Sequence, residues 1–345
     1  DMFNGYVLRE LPAISFLSIS QIYKIILIVL LFIRISHVYK FIVFLLFGIL
    51  LLPTFFQLFV SFDVTLIFPD AMKIIKYLAS IIALFYFRYI LIYKPNLIKW
   101  IYSWFVFSFI VIVFNISLRI FGFGYPMYDI GSLQIGSVGF FYAGNEISGV
   151  LLVVSSFLMY WFRFFDKKML FYIIGFIAVL TGLLITSKTA ILGTLFTFFY
   201  FFLFDPKRLQ LNVKSLFLYL GFFFFIAPFS IYFIVAYIKS SSLMNRLTYF
   251  WEDLDVFAFI LSNRNVYLLD FIDVFKKEYN FFEFIFGIGN TKYELINPND
   301  IIEIDFFDIF FAYGLIGFGL FLFYILFILI NSKLKSLNIG VYIFS

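Results

Sequence analysis

Cysteine is absent from the 345-residue sequence, and histidine occurs only once, as His37. The absence of thiols excludes disulfides, zinc–thiolate sites and iron–sulfur clusters. A single histidine leaves no histidine-based metal cluster and no serine–histidine–aspartate triad that the sequence could supply. Charge is scarce as well, since 13% of the residues are charged, against about 25% in a typical soluble domain.

Apolar residues make up most of the chain instead. The sequence is 64% hydrophobic and 25% aromatic, with a mean hydropathy of +1.06. This composition predicts an all-α polytopic membrane protein. The net charge of +5 is ordinary for a membrane protein with basic cytoplasmic loops, so no nucleic-acid partner is expected.

Nine apolar runs are predicted to cross the bilayer, and all but the 15-residue run at 190–204 have the roughly 17–25 residues that a helix needs. They cover residues 14–33, 41–60, 74–93, 98–120, 147–165, 170–186, 190–204, 216–238 and 306–330. Pro53 is expected to kink or interrupt the second run, and a short acidic loop with Asp63 and Asp70 follows it. A tenth run starts near Ile339, which indicates a trimmed chain. No repeat or linker is visible, so residues 1–345 are treated as one transmembrane domain.

The basic residues predict which loops face the cytoplasm, where Lys and Arg are enriched. Alternate loops carry Arg34 and Lys40; Lys94 and Lys99; Arg163, Lys167 and Lys168; Lys207, Arg208 and Lys214; and Lys333 and Lys335. The opposite, extracytoplasmic face then receives residues 122–144, Lys188 and one long polar loop, residues 239–305.

Two segments of the long loop have helical spacing and are expected to lie along the membrane surface or cover a cavity. The first is residues 243–250 with Trp251, and the second is residues 263–277. The predicted apolar stripe of the second consists of Val266, Leu269, Ile272 and Phe275. The glycines of Gly287-Ile288-Gly289 are interpreted as a tight turn rather than a nucleotide-binding loop.

Three carboxylates, Glu303, Asp305 and Asp308, stand where the chain enters the last long apolar run. Asp305 and Asp308 are three residues apart and share a helix face. Ionisable groups at membrane depth usually face a cavity or a partner, and a carboxylate there suits a general base. A plainer interpretation is that these acids cap the helix and complement its dipole.

Cations on the same predicted face could hold a phosphate group. Arginine binds phosphate with two parallel hydrogen bonds and keeps its charge, which directs attention to Arg246 and Arg264. Lys188 is a third candidate and Arg119 a weaker one. The alternatives are surface salt bridges for the arginines and an interfacial lysine for Lys188. The pattern Asp253-x-Asp255 matches metal-dependent glycosyltransferases, but three residues in a chain with 20 acids carry little weight.

Short motifs follow one another in a fixed order between residues 122 and 330. They are GFFYAGNE at 139–146, TSKTA at 186–190, SNR at 262–264, FGIG at 286–289, and Glu303-x-Asp305 followed by YGLIG at 313–317. This ordered set resembles the O-antigen polymerase family, which is related to the O-antigen ligases. Ligases have a histidine eleven positions before the first glycine of a Gly-x-x-Gly motif, and here that position is Glu303. Where the ligases usually have serine followed by arginine, this sequence has Ser187-Lys188. The lysine keeps the positive charge but lacks the planar guanidinium that forms two parallel hydrogen bonds.

The resemblance implies a GT-C-like helical bundle in the bacterial cytoplasmic (inner) membrane. It would be a metal-independent glycosyltransferase, without cofactor, that joins oligosaccharide units carried on undecaprenyl pyrophosphate into O-antigen or capsule. Its partners would be that lipid-linked oligosaccharide, membrane lipid and, as a further candidate, a chain-length regulator. A single base and no obvious nucleophile favour inversion at the anomeric carbon.

The resemblance also suggests how the candidate residues divide the work. Glu303, or its neighbour Asp305, would deprotonate the acceptor hydroxyl. The pyrophosphate leaving group would be stabilised by cations at the site. Those cations are Arg264, Arg246 and Lys188. The candidates for substrate contact are Asn145, Glu146, Asp308 and Arg119; for Asn145 and Glu146 the alternative is capping of the fifth run.

Three other functions stay open. A ligase-like enzyme of the same fold would use a different acceptor, and the missing histidine weighs against it. A flippase for lipid-linked oligosaccharide would be expected to show two similar halves and charges within its spans, whereas the spans here are almost free of charge. A scaffolding membrane protein would not need the clustered arginines and carboxylates.

Overall fold

The computed structural model describes residues 2–10, 19–130, 133–205, 210–211, 263–298 and 301–331. Over these residues the chain is almost entirely helical, and several helices are long and apolar. The predicted all-α polytopic membrane protein is therefore confirmed, while its likeness to GT-C bundles stays a prediction.

Twelve helices occur in the described ranges. They are α1 (Met2–Glu10), α2 (Ile19–Arg34), α3 (His37–Ser61), α4 (Ile67–Tyr93), α5 (Ile98–Ser117), α6 (Gly144–Phe164), α7 (Lys168–Ile185), α8 (Lys188–Leu203), α9 (Arg264–Glu278), α10 (Phe281–Phe286), α11 (Asn290–Ile296) and α12 (Asp305–Asn331). Short 3₁₀ turns stand at Val64–Leu66, Pro95–Leu97 and Leu118–Phe121. Two antiparallel hairpins pair β1 (Tyr128–Ile130) with β2 (Leu133–Ile135) and β3 (Phe204–Asp205) with β4 (Gln210–Leu211).

Five of these helices are long and apolar enough to cross a membrane. They are His37–Val60, Lys99–Phe121, Gly144–Phe164, Lys168–Ile185 and Asp305–Ile330, which match the second, fourth, fifth, sixth and ninth predicted spans. The seventh corresponds to α8, which has 16 residues. The third corresponds to α4, which has 27 residues but also carries Asp70, Lys73, Lys76 and Arg88. The predicted runs at 216–238 and near Ile339 lie outside the described residues.

Two local expectations for the second run need correction. Helix α3 continues through Pro53, so the proline does not interrupt the run, and a kink at this position stays a prediction. Asp70 is not a loop residue but lies in the first turn of α4, where a carboxylate complements the helix dipole. Asp63 does lie in the connection between the two helices.

The chain divides into two compact units. Unit 1 comprises residues 1–24, 95–245 and 332–345, and unit 2 comprises residues 25–94 and 246–331. Among the described elements, unit 1 holds α1, α5 to α8 and both hairpins. Unit 2 holds most of α2 together with α3, α4 and α9 to α12. The expectation of a single transmembrane domain stays a prediction.

Small residues bring the helices of unit 1 together. A Cβ on Gly182 of α7 would lie 2.8 Å from the carbonyl oxygen of Ala190 in α8. The hydroxyls of Ser148 in α6 and Ser187, just before α8, are 2.6 Å apart. Small residues and hydroxyl pairs of this kind are typical of helix packing in membranes.

In unit 2, helices α3 and α4 pack against each other, and α9, α10 and α11 fill the space beside α12. Three aromatic side chains form the centre of this packing. The ring of Phe271 (α9) is 5.0 Å from that of Tyr293 (α11) and 4.7 Å from that of Phe311 (α12). All three are buried, so the aromatic cluster joins the long-loop helices to the last span.

Helix α12 is broken at Gly314, which has φ 64° and ψ −166°. The break frees the carbonyl of Ala312, and the N–H of Gly289 donates to it at 2.9 Å. Gly287, with φ 85°, crosses α12 closely at this break. A Cβ on Gly287 would overlap the backbone of Ala312 and Tyr313, and a Cβ on Gly314 would overlap the backbone of residues 285–287. The predicted tight turn at 287–289 is instead an irregular connection between α10 and α11, and its glycines are needed for both conformation and close approach.

Replacement of Gly314 by alanine is expected to destabilise unit 2, because the new Cβ would meet the backbone of residues 285–287 and the residue would keep a positive φ. Strain and overpacking each cost roughly 1–3 kcal/mol, so the melting temperature of the detergent-purified protein should fall by several degrees. Gly319→Ala is the matched control: it lies in the same helix with no atom within 4 Å of the added Cβ. Equal melting temperatures for both variants would contradict the close crossing.

Candidate functional site

The strongest juxtaposition of predicted site residues is the pair Arg264–Glu303 in unit 2. Arg264 is the first residue of α9, and Glu303 lies two residues before α12. The guanidinium Nη2 is 2.9 Å and Nε is 3.3 Å from Oε2 of Glu303. The side chains are 37% and 49% exposed, so both groups can be reached from outside the protein.

The backbone is left-handed at Glu303 and at the residue before Arg264. Glu303 has φ 62°, and Asn263, which precedes Arg264, has φ 67°. Among the described residues, the buried side-chain oxygens of Asn263 and Asn265 meet no hydrogen-bond donor, and an unsatisfied buried group costs roughly 1–3 kcal/mol. Left-handed non-glycine residues and unsatisfied groups are found preferentially at functional sites, which supports this pair as the centre of the candidate site.

The buried face of α9 differs from the predicted stripe. Val266 and Leu269 are 41% and 63% exposed, whereas Phe271 is completely buried. The core-facing residues are Tyr267, Leu268, Phe271, Val274 and Phe275. The helix carries apolar residues on more than one side, so the spacing alone fits two neighbouring faces. Its packing partners decide between them.

A carboxylate that the sequence analysis placed in a loop fixes the start of α11. Asp70 is 1% exposed, and its Oδ1 accepts from the backbone N–H and the hydroxyl of Thr291, each at 2.6 Å. Its Oδ2 accepts from the hydroxyl of Thr54 at 2.5 Å. One buried carboxylate therefore ties α3, α4 and α11 together.

Further polar contacts continue this connection between α3, α4, α10 and α11. Gln57 donates to Oε1 of Glu283 at 2.8 Å and accepts from Nζ of Lys292 at 2.7 Å. Lys73 and Glu294 form an ion pair. These contacts could not be predicted from the sequence, because Gln57 and Lys73 are more than 200 positions from their partners.

The other two predicted carboxylates lie at the start of α12. Asp305 is its first residue and is exposed. Asp308 is partly buried, and its Oδ1 accepts from the hydroxyl of Tyr293 at 2.5 Å and from the N–H of Ile302 at 3.0 Å. One oxygen of Asp308 is thus already used within the protein.

The remaining predicted site residues belong to unit 1 or lie outside the described ranges. Asn145 and Glu146 are exposed in the first turn of α6, and the exposed Lys188 begins α8. The bond between Ser148 and Ser187 holds these two helix starts together. Arg119 donates to the carbonyl of Gly124 at 3.1 Å and to Oε1 of Gln134 at 2.5 Å, so it braces the β1–β2 hairpin. Arg246 and the Asp253-x-Asp255 pattern are not among the described residues.

Metal ligation has no candidate in the described ranges, where no three or more histidine, aspartate or glutamate side chains come together. Metal independence stays a prediction, because the part of the long loop before residue 263 is not included.

Residues 250–339 match the family model of an O-antigen ligase like membrane protein. The matched range is less than half of the chain, and it includes Arg264, Glu303, Asp305 and Asp308. No curated protein and no solved structure matches the sequence. The match agrees with the resemblance at the level of the ligase and polymerase group, and it does not separate one from the other.

Asp70→Ala is expected to lower the free energy of unfolding by about 2–4 kcal/mol, because a buried donor left without a partner costs roughly 1–3 kcal/mol. Thermal unfolding in detergent measures this. The control is Asp63→Ala, whose carboxylate also accepts from the N–H and hydroxyl of a threonine, Thr65, but is exposed. A melting temperature for Asp70→Ala no lower than that of Asp63→Ala would show that the buried anchor does not stabilise unit 2.

Proposed function

We propose that this protein is a membrane glycosyltransferase that polymerises oligosaccharide units carried on undecaprenyl pyrophosphate. The observation that carries the proposal is the exposed Arg264–Glu303 pair, within the range that matches the ligase-like family. In the resemblance, Glu303 replaces the histidine of the ligases, which favours polymerase over ligase. The product would be a surface polysaccharide, either O-antigen or capsule.

The site would face out of the cytoplasm. The basic loops alternate along the sequence, and the positive-inside rule assigns the loop with Arg264 and Glu303 to the opposite side. Lipid-linked units would be joined there, at the outer surface of the bacterial cytoplasmic membrane. A chain-length regulator remains a candidate partner.

Glu303 would act as the general base. Arg264 contacts only Oε2 of the carboxylate, so Oε1 can take the proton of the acceptor hydroxyl. As that proton moves to Glu303, the hydroxyl oxygen forms a bond to the anomeric carbon of the donor. The bond from that carbon to the pyrophosphate oxygen breaks, and undecaprenyl pyrophosphate leaves with the electron pair. A single displacement of this kind inverts the anomeric carbon.

Arg264 would stabilise the charge that develops on the leaving group. A guanidinium has five N–H donors, and two of them point to Glu303. The others can bind a pyrophosphate oxygen while the carboxylate stays oriented. Lys188 and Arg246 are proposed as further pyrophosphate contacts, and Asn145, Glu146 and Arg119 as substrate contacts. Asp305 is the alternative base.

A ligase-like transferase is the second candidate function, and the family match is the observation that favours it. The same base and cation would act, but the glycan would move to a different acceptor. The two functions differ in product: a polymerase lengthens the glycan on its lipid carrier, whereas a ligase moves it without lengthening it.

Glu303→Gln and Arg264→Ala are expected to abolish polymer formation in cells that lack the native gene, because one removes the base and the other removes charge stabilisation worth roughly 100- to 1,000-fold in rate. Surface glycans on a gel should change from a ladder to a single repeat unit, at membrane levels equal to those of the unaltered protein.

Lys277→Ala is the matched control for Arg264→Ala, since it removes an exposed positive charge from the other end of the same helix and should still give a ladder. Asp305→Asn tests the alternative base, and it should also give a ladder where Glu303 is the base. A ladder from Glu303→Gln would exclude Glu303 as the base, and loss of the ladder only in Asp305→Asn would assign that role to Asp305. A ladder in cells lacking the protein, with lipid-linked units accumulating in the cytoplasmic leaflet, would indicate a flippase.

A further inference from the structure

The hydroxyl of Tyr293 is the centre of a buried hydrogen-bond network next to Glu303. It donates to Oδ1 of Asp308 at 2.5 Å and accepts from Nδ2 of Asn297 at 3.2 Å and from the N–H of Ile302 at 3.3 Å. The same N–H is 3.0 Å from Oδ1 of Asp308. Tyr293 and Asp308 therefore both accept a hydrogen bond from one backbone group, the N–H of Ile302, which is the residue before Glu303.

Packing also holds Ile302 and Tyr293 in place. The side chains of Ile302 and Tyr293 are completely buried, and Phe271 packs edge-on against the Tyr293 ring. Burial, followed by the bond to Asp308, raises the pKa of Tyr293 far above its usual value. The hydroxyl thus keeps its proton and remains a donor throughout the physiological pH range.

Glu303 needs such support because its φ of 62° is unfavourable for a residue with a side chain. A left-handed non-glycine residue persists only where its surroundings hold it, at a cost of order 1–3 kcal/mol. On one side of Glu303 the backbone is fixed by the hydrogen bonds from the N–H of Ile302 to Tyr293 and Asp308. On the other side Ile304 starts the first turn of α12, where its carbonyl accepts from the N–H of Phe307 and of Asp308.

We infer that Tyr293 and Asp308 are positioning residues, which hold the N–H of Ile302 and thereby set the direction of the Glu303 carboxylate. This inference rests on the proposed function, in which Glu303 is the base. Tyr293 is completely buried and does not touch substrate. Asp308 was considered a substrate contact from the sequence, but its Oδ1 is committed to Tyr293 and Ile302.

Positioning and substrate contact predict different kinetics. A displaced base lowers turnover and leaves substrate binding unchanged, since misplacement of a catalytic group by about 1 Å can cost about 100-fold in rate. Loss of a substrate contact raises the half-saturating concentration instead. The two effects separate when release of undecaprenyl pyrophosphate is measured over a range of substrate concentrations.

The test is Tyr293→Phe in the purified full chain, reconstituted in liposomes. The probe is the undecaprenyl-pyrophosphate-linked repeat unit extracted from cells that lack this gene. Turnover is expected to fall about 10- to 100-fold, with the half-saturating concentration within about twofold of the unaltered protein. Tyr279→Phe is the matched control: it removes a hydroxyl that bonds the carbonyl of Phe311 at 2.9 Å beside the same aromatic cluster, without contact to Ile302. Its turnover should stay within about twofold.

Asp308 provides the second variant should Tyr293→Phe fail to accumulate. Asp308→Asn keeps an oxygen in place of Oδ1, so it should retain more turnover than Asp308→Ala and leave the half-saturating concentration unchanged. Equal turnover in Tyr293→Phe and Tyr279→Phe, or a raised half-saturating concentration in Asp308→Asn, would overturn the inference.

Glu303→Gln is measured in parallel, to separate the positioning role from the proposed function. If Glu303→Gln remains active, the proposed function fails. If Glu303→Gln is inactive and Tyr293→Phe is fully active, only the positioning role is overturned.

Discussion

The buried carboxylate of Asp70 is the contact on which unit 2 depends most. It lies among apolar helices, where an unpaired charge is very costly, so it must find donors inside the protein. The donors are the hydroxyl of Thr54 and the N–H and hydroxyl of Thr291. The position of α11 follows from this requirement, and α11 carries Tyr293. The hydrogen bonds that a buried carboxylate requires thus fix the segment that precedes Glu303.

Backbone hydrogen bonding imposes the second constraint. Lipid supplies no partner for a free carbonyl, so a helix can break in a membrane protein only where another part of the chain completes its bonds. At Gly314 the N–H of Gly289 does so by donating to Ala312. Because both crossing segments need glycine for close approach, the motifs FGIG and YGLIG are two halves of one contact. Their joint presence in the sequence has a physical explanation that does not involve substrate.

Helices were predictable from the sequence wherever a long apolar run sets their position and length. The five helices that match predicted spans and α9 have clear lengths and spacings, and the glycines of residues 287–289 marked the connection between α10 and α11. The buried face of α9 was not predictable, because apolar side chains occur on several of its sides and only packing against Tyr293 and Phe311 selects one. An interruption at Pro53 was wrongly expected, because the local effect of one proline does not end a helix of 25 residues.

The candidate site was predictable in its residues and only partly in its contacts. Arg264 and Glu303 stood out because charge is rare in this chain, but their separation of 39 positions hides their direct pairing. The bond from Thr291 to Asp70 joins residues 221 positions apart, beyond the reach of any local pattern. Asp308 looked like a site residue for the same reason as Glu303, and only its bonds to Tyr293 and Ile302 suggest a positioning role.

The central claim is that Glu303 and Arg264 lie in an enzyme that lengthens lipid-linked glycans. The most direct measurement supplies the purified protein in liposomes with one undecaprenyl-pyrophosphate-linked repeat unit, then determines glycan length by mass spectrometry. We expect glycans of two or more units, with one undecaprenyl pyrophosphate released for each bond formed and no other protein or acceptor present. Repeat units that stay single, or that are consumed only when a different glycan acceptor is added, would contradict polymerisation.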